Sequence, residues 1–239
     1  MPAEEFIDLY KTLEQVLRVK YEQGPDDKNG YENLIIRYAS SNEGTPYRKE
    51  LDSIREIRNL LQHLPMENGQ YLVEPSPEIT QKLKKIINSI QNPQKAMDFS
   101  IPASKIFTTS LNENAYSVMK VMYKKGHSHV PVIQDGKIIG VFSTGTIFSF
   151  MMVEGISALS ATTNIEDFKK YLPIDAHKNE RYEFVSKETT FTDVKIMFEN
   201  SFKRPKRLVA LFITETGLMD EKLMGMVTPW DILGHSGEN

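Results

Sequence analysis

One short pattern occurs twice in this chain and constrains its fold more than any other feature. Residues 140–146 read Gly-Val-Phe-Ser-Thr-Gly-Thr, and residues 225–231 read Gly-Met-Val-Thr-Pro-Trp-Asp. Each copy has a glycine, two apolar residues, a serine or threonine, and a polar residue three positions later. A pattern that returns after a long interval is typical of a duplicated structural unit. Part of the chain is therefore expected to fold into two similar halves.

The residues around each copy repeat as well. In both places the pattern predicts a helix, two short strands and then a second helix. Asp135-Gly136 joins the first pair of strands, as expected for a tight turn that needs positive φ. The predicted segments are a helix over 112–125 with strands over 130–134 and 137–142, and a helix over 191–198 with strands over 207–214 and 222–227.

The repeat resembles the C-terminal signature of CBS domains, and His129-Val-Pro-Val-Ile with the following Gly-Lys-Ile-Ile-Gly strengthens the match. The resemblance covers about residues 97–236: a first copy at 97–153, a connection at 154–180 and a second copy at 181–236. It implies two α/β units that pack as a pair. It also implies an adenine nucleotide (AMP, ADP or ATP) as a regulatory ligand in the cleft between them.

Thr228 and Asp231 are the first candidate ligand residues. Thr228 ends a predicted strand where a helix begins, and a carboxylate in the first turn can accept hydrogen bonds from both ribose hydroxyls. The same two residues also fit a helix cap, because Ser or Thr followed three positions later by an acid stabilises helix starts. The two roles are compatible, and both stay open at this point.

The CBS resemblance implies further contacts. Ile106 and Phe107 would flank the base, while His129 and Arg207 fall where cationic residues meet phosphates. Structural roles stay open for the last two: His129 as a packed residue beside its strand, and Arg207 as part of a solvated basic edge. Thr146 stands where the second copy has Asp231, which weakens a ribose contact in the first copy and predicts one good site per chain.

The first part of the chain has a different texture. Apolar residues recur at three- and four-residue steps, which predicts amphipathic helices over about 4–22, 32–38, 47–64 and 76–90. Ser76 can cap the last of these, and Pro77 suits its first position. The fold class is therefore α+β overall: an all-α helical bundle over residues 1–92, followed by two α/β CBS repeats packed as a pair.

The third helix carries Arg58, Asn59 and His63, whose arrangement resembles the motif of HEPN domains. Many HEPN domains are metal-independent ribonucleases. In such chemistry histidine exchanges protons, a guanidinium holds the phosphate, and the asparagine could support either. Five helical steps place Arg58 and His63 about 140° apart around the helix. A shared site then requires the helix end to unwind or two chains to meet.

Composition narrows the classes further. The chain has no cysteine and a net charge of −3, which excludes disulfides and thiol chemistry and favours a reducing cytoplasm. Neither half is basic, so DNA is not an expected partner. The chain shows no apolar run long enough for a signal peptide or a membrane span. The remaining histidines lack metal-ligand spacing, and no metal is expected.

Two functions remain. In the first, an adenine nucleotide bound by the CBS pair controls a HEPN-like, metal-independent ribonuclease, and RNA is a candidate partner. In the second, the chain is a non-catalytic nucleotide sensor whose helical domain serves dimerisation or partner binding. The HEPN motif favours the enzyme, and the lack of a basic surface favours the sensor. A homodimer is expected in both.

Overall fold

A computed structural model gives the fold and describes residues 2–21, 31–63, 71–201 and 203–235, without the side chains of residues 31–33 and 235. Predicted segment ends at residues 22, 64 and 236 lie outside these residues. The chain divides into two compact units, Met1–Gln94 and Lys95–Asn239. The fold is mixed α+β, with helices alone in the described part of the first unit and α/β repeats in the second, as the sequence predicts.

The N-terminal unit is a bundle of amphipathic helices. Its helices are α1 (Pro2–Lys20), α2 (Tyr31–Ala39), α3 (Arg48–His63) and α4 (Pro77–Gln91). Helix α1 packs against the other three. The start of α4 forms as predicted, since the Ser76 hydroxyl accepts a hydrogen bond from the backbone N of Ile79 at 3.3 Å. The shared core is formed by apolar side chains from these helices, including Phe6, Leu13, Leu17, Leu34, Ile35, Tyr38, Leu51, Ile54, Leu83 and Ile86.

The C-terminal unit contains the two copies of the repeat. The first copy contributes α6 (Ala115–Lys125), β2 (His129–Gln134), β3 (Lys137–Ser143) and α7 (Thr144–Glu154). The second contributes β4 (Glu180–Ser186), α8 (Phe191–Ser201), β5 (Arg207–Thr214), β6 (Gly225–Val227) and α9 (Pro229–His235). The short elements α5 (Ala96–Phe99) and β1 (Ile101–Pro102) lie at the start of the first copy, before its helix and hairpin.

The strands form two sheets. Strands β2 and β3 pair as an antiparallel hairpin, while the other sheet has the order β1-β6-β5-β4. In that sheet β4 runs parallel to β5, and β6 is antiparallel to both β5 and β1. Strand β1, at the start of the first copy, therefore completes the sheet of the second copy. Side chains from both copies share one core, formed by Ile138, Val141, Tyr182, Ala210 and Phe212.

The two hairpins differ in their turns. Asp135 and Gly136 have φ of 53° and 79°, as the Asp-Gly turn requires. The strand predicted over 222–227 is wrong in its first half, because β6 begins only at Gly225. The backbone N of Leu223 donates instead to the carbonyl of Gly136 at 3.0 Å, and Lys222 bridges to Lys137. The chain entering β6 thus bonds first to the turn of the other copy.

Candidate functional site

A cavity of about 770 Å³ opens in the C-terminal unit. Its wall combines the segment that leads into the first copy with strands and helices of the second copy. The volume lies within the range of small-molecule sites. The lining residues are Ile101, Lys105, Ile106, Phe107, Gly126, His127, Ser128, His129, Lys195, Phe198, Glu199, Ser201, Arg207, Leu208, Val209, Ala210, Met226, Thr228, Pro229, Trp230, Ile232 and Leu233.

One wall of the cavity is flat and aromatic. The ring of Phe107 stacks on that of His127, with centroids 6.0 Å apart and planes inclined by 23°. The ammonium of Lys125 lies 5.9 Å from the centre of the Phe107 ring. Ile106 continues this wall. A planar, electron-rich heterocycle can pack against such a surface by stacking and apolar contact.

The remaining wall carries more positive than negative charge. Lys105, Lys195 and Arg207 line the cavity, and Glu199 is the one acid among its described lining residues. Arg207 is exposed at the first position of β5, where its backbone N donates to the carbonyl of Asn179 at 3.1 Å. An excess of cationic side chains around an apolar pocket suits an anionic ligand, above all one that carries phosphates.

Thr228 and Asp231 form a helix cap at the mouth of α9. The Oδ2 atom of Asp231 accepts hydrogen bonds from the backbone N of Thr228 at 2.7 Å and from its Oγ1 at 2.8 Å. Thr228 lines the cavity, and Asp231 is half-buried behind it. The described contacts of this pair are therefore those of the cap, and a ribose contact stays a prediction.

Five of the residues singled out for nucleotide binding come together here. Ile106, Phe107, His129, Arg207 and Thr228 all line the one cavity, although they are spread over more than half of the C-terminal unit. The first two belong to the chain that leads into the first copy, whereas Arg207 and Thr228 belong to the second. A shared cavity gives these residues a common surface for one ligand.

His129 is held from behind by a carboxylate. Its Nε2 lies 3.3 Å from Oε1 of Glu180, and its ring meets the ring of Tyr182 edge-on with centroids 5.9 Å apart. The other oxygen of Glu180 accepts from the Ser143 hydroxyl at 2.7 Å and from the Tyr182 hydroxyl at 2.9 Å, and it lies 3.1 Å from Nδ1 of His177. Glu180 thus occupies the centre of a polar cluster.

The ionisation of Glu180 follows from these contacts. Burial raises the pKa of Glu180, but hydrogen bonds from His129, His177 and Ser143 together outweigh burial and hold that pKa far below the usual range of a glutamate. Burial, and then the charge of Glu180, raises the pKa of the Tyr182 phenol, which stays protonated and donates. Because an ionised carboxylate only accepts hydrogen bonds, Nε2 of His129 must carry the proton in their contact.

Sequence reasoning did not single out Glu180, His177 or Tyr182. Glu180 and His177 lie in the segment predicted as a connection, and β4 pairs with a strand that follows α8 in sequence. A parallel pair of this kind leaves no local signal such as a turn dipeptide. The one available signal was that His177, Glu180 and Tyr182 lie within six residues of each other.

The corresponding place in the first copy is filled. Ser143 and Thr146 are buried, and Thr146 Oγ1 accepts from the backbone N of Ser143 at 3.1 Å. The Ser143 hydroxyl donates to Glu180, and a Cβ added at Gly145 would lie 3.1 Å from Oε1 of that glutamate. Neither Ser143 nor Thr146 lines the cavity. The carboxylate of Glu180 occupies the space beside the first copy's pattern.

In the N-terminal unit, Arg58 and His63 do not form a pair within the chain. The guanidinium of Arg58 lies 5.3 Å from the centre of the Tyr10 ring and donates to Oδ1 of Asn59 at 3.3 Å. It also faces Glu14, a carboxyl whose pKa is raised by burial and lowered in part by Arg58. His63 is exposed and lines a hollow of about 420 Å³ with Asn59, Glu56 and Leu60. Helix α3 runs without interruption to His63.

Across residues 2–21, 31–63, 71–201 and 203–235, no three His, Asp or Glu side chains come together in a way that could hold a metal ion. None of the helices in this part of the chain combines the length and the apolar character needed to cross a membrane.

Comparison with known proteins identifies part of the C-terminal unit. The model of the CBS domain family matches residues 98–153. Among solved structures, CBSX2 in complex with AMP is 16% identical over 61% of this chain and 97% of its own, with a TM-score of 0.44. CbpB in complex with c-di-AMP is 20% identical over 66% and 93%, with a TM-score of 0.47.

A CBS domain-containing protein from Bacillus anthracis is 18% identical over 62% of this chain and 97% of its own, with a TM-score of 0.45. No curated protein matches the chain. Residues 98–153, which include the whole hairpin and pattern of the first copy, are a CBS domain.

Proposed function

We propose that this chain is a regulatory protein that binds an adenine nucleotide in the cavity of its C-terminal unit. One observation carries the proposal: a single cavity collects an aromatic wall, an excess of cationic side chains and Thr228, which is hydrogen-bonded to Asp231 just outside the lining. These are the three surfaces that a nucleotide needs, for its base, its phosphates and its ribose. The CBS domain at residues 98–153 supports the same ligand class.

The proposed ligand has its base against Ile106 and Phe107. Its ribose lies near Thr228, where the carboxylate of Asp231 accepts from the hydroxyls. Its phosphates then face His129 and Arg207, with Lys105 and Lys195 on the same wall. This distribution favours AMP, ADP or ATP over uncharged adenosine or the cationic S-adenosylmethionine, because each phosphate gains contacts with charged donors.

The first test is a calorimetric titration of the chain with adenosine, AMP, ADP, ATP and S-adenosylmethionine. We expect the substitution Asp231→Ala to lower the affinity for the best nucleotide at least about tenfold, the value of a lost charged hydrogen bond. Loss of the cap alone costs about 1 kcal/mol of stability. The titration therefore needs a control that distinguishes the loss of a ligand contact from the weakening of the helix start.

Asp193→Ala is the matched control. Thr190 and Asp193 form the same kind of cap at the start of α8, with Thr190 Oγ1 2.7 Å from Asp193 Oδ2, and neither lines the cavity. Asp193→Ala should lower stability to a similar extent and leave nucleotide affinity unchanged. Equal affinities for the two variants would discard the assigned ribose site.

For the helical unit, the contacts support a non-catalytic role in dimerisation or partner binding. The guanidinium that a ribonuclease needs on the phosphate is engaged with Tyr10 and Asn59 and faces Glu14. In this proposal the chain is a cytoplasmic homodimer that passes the nucleotide signal to a partner. Light scattering of the purified chain, with and without nucleotide, tests the dimer.

The exposure of His63 favours a second function, a HEPN-like, metal-independent ribonuclease under nucleotide control. Its imidazole shares a hollow with Asn59 and Glu56, where it can exchange protons with an RNA strand. The test is incubation with labelled tRNA and mRNA, without metal, with and without adenine nucleotides. Cleavage by the native chain that is lost in His63→Ala and kept in Gln62→Ala would establish the nuclease. If the native chain does not cleave RNA, the non-catalytic sensor is the remaining function.

A further inference from the structure

The cavity and the filled space beside the first copy share one residue. Glu180 does not line the cavity, yet its Oε1 lies 3.3 Å from Nε2 of His129, which does. Its Oε2 is held by Ser143, Tyr182 and His177. We propose that Glu180 is the positioning residue for His129, and that through His129 it sets the preference of the cavity for phosphorylated over unphosphorylated ligands. This inference rests on the proposed function.

The carboxylate of Glu180 is itself fixed. Three donors from separate segments converge on Oε2: Ser143 at the end of β3, His177 in the connection, and Tyr182 in β4. The side chain of Glu180 is 18% exposed and that of His177 only 2%. A carboxylate with so many partners has little rotamer freedom, and its second oxygen therefore offers His129 an acceptor in a set place.

The imidazole of His129 is then fixed on two sides. The carboxylate takes the hydrogen of Nε2, and the Tyr182 ring packs edge-on against the imidazole. Nδ1 is the nitrogen that remains for a ligand, and it can donate to a phosphate oxygen only when the ring carries a proton on both nitrogens. Without Glu180 the ring would be free to rotate about its side-chain bonds, and binding would then cost the entropy of ordering it. The loss of order should weaken the contact between His129 and the phosphate, and it should not weaken stacking of the base.

The test compares AMP with adenosine, which differ only in the phosphate. We expect Glu180→Ala to lower AMP affinity about tenfold and adenosine affinity less than about twofold. Glu180→Gln keeps an oxygen that can accept from Nε2 and should retain AMP affinity within about threefold. Glu154→Ala is the matched control, because it removes another hydrogen-bonded glutamate of the C-terminal unit, one that accepts from the Tyr171 hydroxyl at 2.9 Å and does not line the cavity. It should leave both affinities unchanged.

A double-mutant cycle separates positioning from general destabilisation. If Glu180 acts through His129, the double variant His129→Ala with Glu180→Ala binds AMP no more weakly than His129→Ala alone. All titrations are made at a temperature where circular dichroism shows each variant to be folded. Additive losses in the cycle, or equal losses for AMP and adenosine, would overturn the inference while the proposed function stands.

Nuclear magnetic resonance of the ligand-free chain gives a readout that does not depend on binding. In protein with ¹⁵N-labelled histidine, we expect the Nε2 of His129 to carry a proton in the native chain, and this signature to be lost or averaged in Glu180→Ala. An unchanged His129 spectrum in that variant would overturn the inference. Failure of the native chain to bind any adenine nucleotide would instead overturn the proposed function, together with the ligand preference derived from it.

Discussion

In the first copy of the repeat the serine that ends β3 is fully buried, whereas in the second copy the threonine that follows β6 lines a cavity of about 770 Å³. The order of strands and helices around Ser143 and Thr228 is the same. Both hydroxyls donate to a carboxylate, but that of Ser143 bonds to Glu180 in a separate strand. The hydroxyl of Thr228 bonds to Asp231 in the helix that follows it, and the cavity stays open beside Thr228.

The neighbouring segments that differ are themselves part of the repeat. In the first copy, Thr109 bridges in parallel to Val132 of β2, much as β4 runs parallel to β5 in the second copy. Phe107 precedes the first bridge and forms an apolar wall of the cavity. Glu180 begins β4 and reaches across to Ser143. The side chain at the start of each parallel segment thus distinguishes the two clefts: Phe107 lines the open cleft, and Glu180 fills the other.

The difference between the two copies has its largest expected effect on the number of nucleotides that one chain binds. We expect calorimetry to give one nucleotide per chain, because the space beside Ser143 and Thr146 is taken by Glu180. Asp231→Ala should then weaken the single binding event without revealing another of similar affinity. Two equal sites per chain would show that Glu180 can leave its cluster, and the comparison of the copies would fail.

A second prediction compares the first glycine of each copy. A Cβ at Gly140 would lie 2.4 Å from the carbonyl oxygen of Leu172, a backbone atom that cannot move alone. A Cβ at Gly225 would instead meet the Ser100 hydroxyl at 2.8 Å and the carbonyl of Ile101 at 3.2 Å. We expect Gly140→Ala to lower the free energy of unfolding by about 3 kcal/mol, and Gly225→Ala by about half as much.

Urea denaturation measures both losses. Combining Gly225→Ala with Ser100→Ala should recover part of its cost, since the nearest clash is with a side chain. No single side-chain truncation should do the same for Gly140→Ala. Equal costs in the two copies would mean that the close approach of Leu172 to β3 is not as rigid as its backbone hydrogen bond to Val141 indicates.

The paired α/β fold could be predicted from the sequence because its signals are local. The Asp-Gly turn, the apolar strands and the serine or threonine before each helix lie within a few residues of each other. The repetition of the pattern strengthens the prediction that they support. The predicted strand over 222–227 failed in its first half for the opposite reason. Leu223 bonds to Gly136, and such a contact between the copies leaves no pattern in either segment.

The site was predictable to the same extent. Thr228 follows from the position of a strand end, and Ile106, Phe107, His129 and Arg207 follow from the resemblance to a family. Glu180 was not predictable, because its role depends on a parallel pairing and on donors drawn from three separate segments. The separation of Arg58 and His63 is the opposite case: five helical steps already place them about 140° apart, and the uninterrupted helix α3 keeps the two apart within the chain.

The smallest expected effect concerns acid. The pKa of Glu180 is far below its ordinary value of 4.5 in the folded chain. A lowered carboxyl pKa contributes stability that is fully present above the unfolded pKa and is lost as the pH falls through the folded pKa. The native chain should therefore be more stable than Glu180→Gln by about 1 kcal/mol at pH 6 to 7, and this difference should shrink steadily below about pH 4.5.

Urea denaturation of the native chain and of Glu180→Gln at several pH values from 7 down to 3 measures this difference. The other carboxyls are common to both proteins, so their titration cancels in the subtraction. A difference that stays constant down to pH 3 would mean that the variant has lost contacts that do not depend on charge and that the charge of the carboxylate contributes nothing. A difference that falls with acid would assign the stability of the filled cleft to the ionised carboxylate of Glu180, in whose place the open cleft has Phe107.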